Sequence, residues 1–294
     1  MHRHSLPLIA MLVIMLVTCT VVHAAERCNG CSREIGQDWR FCAYCGVRLE
    51  PLTPTERPWE HPGTRAGQEI IGPDGGPMVW VPPGEFMMGS DARDDRAEPI
   101  HPVCLTRGFW LGKLEVTRAQ HRRFCEAMGL PFPDDDPERD EHVLVHTSWD
   151  DAVAYCEHYG LRLPTEAQWE FAARGPGSWP YPWGFEWTDD KCSCMRRGGY
   201  TPPNRGGRFP AGASWCGALD MAGHVAEWCA DWFDPEYYSS SPVEDPPGPE
   251  TGASRVVRGG SFSSRLEECR SSHRGADSPS HRGYHTGFRV AYAP

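Results

Sequence analysis

Cysteine supplies the first chemistry in this 294-residue chain: of 13 cysteines, four stand as Cys28-x2-Cys31 and, ten residues on, Cys42-x2-Cys45. Two knuckles at that spacing turn four thiolates toward one point, the geometry of a tetrahedral zinc ion. Gly46, directly after Cys45, permits the tight turn that lets backbone N–H groups face the sulfurs. Outside the cytoplasm the same thiols also suit two disulfides. Zinc is the favoured reading, and both give a small stapled ribbon over 26–49. Four protein thiolates leave no open coordination position, so such a ribbon is structural or adhesive.

Eight further cysteines follow at Cys104, Cys125, Cys156, Cys192, Cys194, Cys216, Cys229 and Cys269. Their even number suits bridges in an exported protein, but spacing does not give their pairing. Other constellations are weak. There is no Gly-x-Ser-x-Gly elbow, no phosphate loop and no His-Glu-x-x-His motif. The acidic run from Asp134 to Glu141 has the charge to attract a cation, yet such runs are ordinarily solvated loops. A net charge of −11 argues against a nucleic-acid partner, which needs a clustered basic face, and serves acidic substrates poorly.

The elements that must position these residues can be read in part. Arg3, the apolar run Leu6 to Val22, and Val22-His23-Ala24 read as an export signal over 1–25. The run is also near the lower limit of a spanning helix, so an uncleaved membrane anchor stays open. Thr18-Cys19 after Leu16 weakly resembles a lipoprotein box. Each version places the rest outside the cytoplasm, periplasmic or extracellular, or anchored and facing outward. Residues 50–77, with Pro51, Pro54, Pro58, Pro62 and Pro73, read as an extended linker to a large domain over 78–294.

Met78 to Val81, followed by Pro82-Pro83 and Gly84 to Gly89, reads as two short strands forming a hairpin. Thr117 with Gln120, Ser148 with Asp151, and Thr165 with Gln168 carry capping spacing, which predicts helices over 118–128, 149–159 and 166–174. In the second, Ala152, Tyr155, Cys156 and Tyr159 share one face, so Cys156 reads as a packed thiol. From Gly175 onward, Gly, Pro and Trp abound and periodic runs are few. Long loops held by short strands at 255–258 and 287–290 are expected. With 12 Trp, 31 Gly and 28 Pro overall, the fold should be loop-rich and pinned by aromatic anchors.

Several strings in order then resemble one family, the formylglycine-generating enzymes or sulfatase-modifying factors. They are Pro83 to Ser90 (PGEFMMGS), Leu114 to Thr117 (LEVT), Ser148 to Ala152 (SWDDA), Leu161 to Gly175 (LRLPTEAQWEFAARG), Asp220 to Gly223 (DMAG), Arg258 to Ser261 (RGGS) and Gly287 to Arg289 (GFR). The resemblance implies an α+β, irregular, loop-rich fold similar to C-type lectins, here with the small N-terminal zinc ribbon in front. It also implies an oxidase that binds Cu(I) through two cysteines. Such oxidases use O2 to convert a sulfatase cysteine, within Cys-x-Pro-x-Arg, to formylglycine.

The copper pair of that family matches Ser264 and Cys269 here, so one thiol is replaced by a hydroxyl. A neutral hydroxyl is a hard donor and does not replace a thiolate on a soft ion. Ser261 and Cys269 are what remains of the catalytic set. The family's active-site His and Tyr are matched by Arg265 and Glu268, and its Gly-Asn-Val-Trp-Glu-Trp string by Gly223-His224-Val225-Ala226-Glu227-Trp228. Exchange of that Asn removes an oxygen ligand expected for calcium. Cys192-Ser193-Cys194, Met195, His273 and His285 are substitute soft or borderline donors, each more readily explained by bridging or solvation. On donor count the sequence favours an exported domain that binds a protein, peptide or glycan as a scaffold. An active formylglycine-generating oxidase is the alternative, and enzyme status stays open.

Overall fold

The computed structural model describes residues 57–91, 96–132, 136–195 and 204–294, together with strands β1 (Glu26–Arg27) and β2 (Glu34–Ile35). Those two strands pair antiparallel, Glu26 opposite Ile35. The export or anchor segment and the four ribbon cysteines lie outside the described residues. Among the described residues, no helix is long and apolar enough to cross a membrane.

One antiparallel sheet runs in the order β12 (Ala291–Tyr292), β7 (Phe109–Gly112), β4 (Pro77–Val81), β3 (Glu69–Ile71). Met78 to Val81 and Phe109 to Gly112 are buried throughout, as central strands covered on both faces must be. A second sheet runs β10 (Arg274–Asp277), β9 (Arg255–Arg258), β8 (Ala226–Trp232), β11 (Thr286–Gly287), with β11 parallel to β8. β5 (Gly84–Met88) and β6 (His101–Leu105) pair with each other.

The hairpin expected at 78–89 is therefore corrected. Both strands form, but β4 pairs with β3 and β7 while β5 pairs with β6. Pro82 and Pro83 lack N–H donors and turn the chain out of the first sheet. The stretch read as linker carries structure from Pro58 on: Trp59 and Ile70 pack against the core, and β3 is an edge strand of the sheet. The single strand expected at 287–290 is divided, with Gly287 in one sheet and Ala291 in the other.

The helices are α1 (Arg118–Met128), α2 (Trp149–His158) and α3 (Glu166–Arg174), each opened by the capping box foreseen at Thr117, Ser148 and Thr165. Ala152, Tyr155 and Cys156 of α2 are buried, and burial pushes the Cys156 thiol far up. In α3 the buried polar residues are tied by charge. Glu166 accepts two hydrogen bonds from Arg274, at 2.7 and 2.9 Å, and Glu170 holds Arg174 at 2.7 Å and also Arg258. Arg289 makes a bidentate pair with Glu227, which also accepts from Trp169 Nε1 at 2.8 Å. All of these but Arg274 belong to the family-like strings, and here they clamp α3 to the second sheet.

Candidate functional site

Sulfur is concentrated where two loops meet. Cys269 ends a short 3-10 turn, Leu266–Cys269, and is fully buried beside Cys194, Cys192 and Ala222 under Trp183 and Trp187. Its thiol is a hydrogen-bond partner of Cys194. That bond, then burial, then the nearby Cys192 and Cys194 sulfurs push its pKa well up, which favours the thiol over the thiolate.

Backbone contacts explain the approach. Met195 N donates to Ser264 O at 3.0 Å, His224 N to Ser193 O at 2.6 Å, and Phe262 N to His224 O at 2.9 Å. The segment Cys192 to Met195 is thereby laced to the loop that carries Ser261, Ser264 and Cys269. Glycine makes the lacing feasible: a Cβ on Gly223 (φ 71°) would stand 2.0 Å from Ser193 O. One on Gly260 (φ 68°) would stand 2.6 Å from Glu268 O and 3.2 Å from Cys269 Sγ.

The Ser261 and Ser264 hydroxyls lie 3.3 Å apart, and Ser261 also meets Ser263 at 3.1 Å. Arg265 N donates to Glu268 Oε2 at 2.7 Å, so that pair caps the turn. Met195 is 48% exposed and His285 lies against Tyr284. None of the eight described cysteines is bridged. Cys216 and Cys229 sit in one core cluster, Cys125 and Cys156 in another, and Cys104 on a strand apart from both.

The donor set answers the copper question in part. Ser264 supplies no sulfur, but Cys194 does, from a different loop, and Cys192 adds a third thiol nearby. Two or three thiolates in a water-poor pocket fit a soft monovalent ion.

A second cluster lies on the other side of the same loop. Glu115, just after β7, and Asp220 and His224, ahead of β8, are 2, 7 and 4% exposed. Glu115 Oε1 meets His224 Nδ1 at 2.8 Å, and Asp220 Oδ2 lies 3.9 Å from the same nitrogen. Burial works to lower His224, but the Glu115 charge and hydrogen bond, then Asp220, raise it to about 9. Burial and the Glu115 charge raise Asp220 to about 6. For Glu115 itself, burial is outweighed by His224 and Arg289, and its pKa falls. This donor set does not fit calcium, which takes six to eight oxygens. Sequence reasoning missed Glu115 and Asp220 as site residues, because each falls in a string with an evident structural use.

The model of the sulfatase-modifying factor enzyme 1-like domain family matches residues 72–294. The formylglycine-generating enzyme of Streptomyces coelicolor is 34% identical over 282 residues, covering 73% of this chain and 88% of that enzyme. That of Thermomonospora curvata is 41% identical over 179 residues, 53% of this chain and 57% of its own length. Among solved structures, PvdO from Pseudomonas aeruginosa aligns with a TM-score of 0.69 at 25% identity, over 79% of this chain and all of PvdO.

Proposed function

The chain belongs to the sulfatase-modifying factor family, and from that membership we propose that it is an exported, Cu(I)-dependent thiol oxidase in which Cys194 replaces the sulfur lost at Ser264. The observation that carries this is the hydrogen-bonded pair Cys194–Cys269, which restores a soft two-donor site with an altered ligand set. Bound there, copper would supply O2 reduction. The partner is a protein carrying a cysteine in a Cys-x-Pro-x-Arg-like segment, whose Cβ would be oxidised by two electrons to an aldehyde as its sulfur leaves as hydrogen sulfide, O2 taking those two electrons and two more from an external thiol reductant to end as water. Cys194 and Cys269 would hold the ion, with Cys192 in reserve. Trp183 and Trp187 exclude water, and the Ser261 hydroxyl network fixes the turn that presents Cys269.

Donor count alone favours a scaffold role, whereas the Cys194–Cys269 pair supports the oxidase reading. One observation still favours a binding domain for a protein, peptide or glycan: all three thiols are buried, at 1, 6 and 0% exposure for Cys192, Cys194 and Cys269. In that case the sulfurs are packing. The experiment that separates the two is a Cu(I) titration of the full chain against a strong chelator, run beside Cys194→Ser and Cys269→Ser. Each variant is expected to lose one tightly held ion and to stop a Cys-x-Pro-x-Arg peptide from losing mass under O2. Wild type that holds no ion at these residues, or turnover that survives Cys269→Ser, overturns the oxidase.

A further inference from the structure

We propose that Glu115, Asp220 and His224 form a binding site for a divalent first-row transition ion, reached from the cavity beside Gly206, independent of the sulfur cluster. Each residue offers one ligand atom, and the three atoms lie within 4.8 Å of one another, close enough for modest shifts to place all three on one ion.

Two atoms point to an absent ligand. Glu115 Oε2 and His224 Nε2 are buried and have no hydrogen-bond partner. Leaving such atoms unsatisfied ordinarily destabilises a fold, so buried orphans in pairs mark a place where something else binds. Glu115 lines a cavity of about 390 Å³ together with Gly206, Thr117, Arg123, Asp140 and Arg205. Gly206 forms the thin wall: a Cβ there would come 3.5 Å from Asp220 Oδ2 and 3.6 Å from Glu115 Oε2. Both carboxylates therefore face the cavity edge through a residue that has no side chain.

Charge balance sets the valence. Glu115, Asp220 and Glu227 face one guanidinium, Arg289, which is already paired with Glu227. With His224 neutral, two negative charges remain, and a dication neutralises them. Two carboxylate oxygens suit the hard ion Mn²⁺, and with one imidazole nitrogen they also suit the borderline ion Co²⁺. Asp220 (φ 56°) and His224 (φ 62°) both hold left-handed backbone, which fixes where their side chains leave the loop.

The test uses Mn²⁺ and Co²⁺ in parallel on the full chain, stripped with chelator. Loss of the free-Mn²⁺ electron paramagnetic resonance signal counts binding. A Co²⁺ visible spectrum without sulfur charge-transfer bands separates this site from the cysteines. Wild type is expected to bind one ion here, and His224→Asn and Glu115→Gln to bind it at least tenfold more weakly. Wild type that leaves both ions free to millimolar concentration overturns the proposal, whether or not the variants fold. So does equal binding by folded His224→Asn.

Discussion

His121 is a base surrounded by rings: it stacks on Tyr155 with 14° between planes and tilts against Phe124 and Phe132. Burial, aided by Arg282 and opposed by Asp151, lowers its pKa from 6.5 to about 4. Between pH 6.5 and 4 the unfolded chain binds more protons at this position than the folded one, so the stability it contributes rises with pH across that window. After allowance for solvent, the loss on acidification is about 2 kcal/mol. Unfolding free energies from urea melts at pH 7 and pH 4.5 should therefore converge by about that amount in His121→Phe relative to wild type. Among single residues, the sequence showed the loss at Ser264 and offered Cys192-Ser193-Cys194 among several substitute donors, without singling out Cys194. Cys194 meets Cys269 only through backbone pairing between loops remote in the chain, and no local spacing encodes that.

Loop apposition, at the scale of elements, rests on Gly223. Gly223→Ala combines a left-handed backbone with a Cβ 2.0 Å from Ser193 O, so the two loops must part. About 3 kcal/mol of destabilisation is expected, with weakened Cu(I) binding although every cysteine is retained. Gly129→Ala is the control. Its φ is 65° but nothing lies within 4 Å, so about 1 kcal/mol and unchanged copper affinity are expected from the same thermal melts and titrations. The contrast also explains which elements were legible. α1, α2 and α3 were readable to within a residue because a capping box is a local hydrogen-bond device, three residues long. The hairpin at 78–89 was misread because strand partners are chosen by burial across the whole fold. β4, buried on both sides, needed β7 from further along the chain.

Across the whole molecule, α3 and the second sheet are joined by buried charge rather than by apolar surface alone. Glu170 lies between Arg174 and Arg258 with no solvent exposure, and its removal strands two guanidinium groups in the core. Glu170→Ala is expected to destabilise by about 3–5 kcal/mol, read as a fall in Tm and in denaturant midpoint, without touching either metal-ligand set directly. The family-like strings were thus legible as membership and fold, since their charged residues have unique partners in the core. They were less legible as function, because Glu115 and Asp220 occur in the same strings as purely structural residues.

β12 has a temporal consequence. Ala291 pairs with Leu111 and bridges to Arg162, while Arg289 ties the start of the domain to its middle through Gly112 and Leu219. Until residues 289–292 have joined the fold, the first sheet lacks an edge strand and Glu227 lacks its counter-charge. The domain therefore closes late, when a segment from its far end docks against strands laid down much earlier.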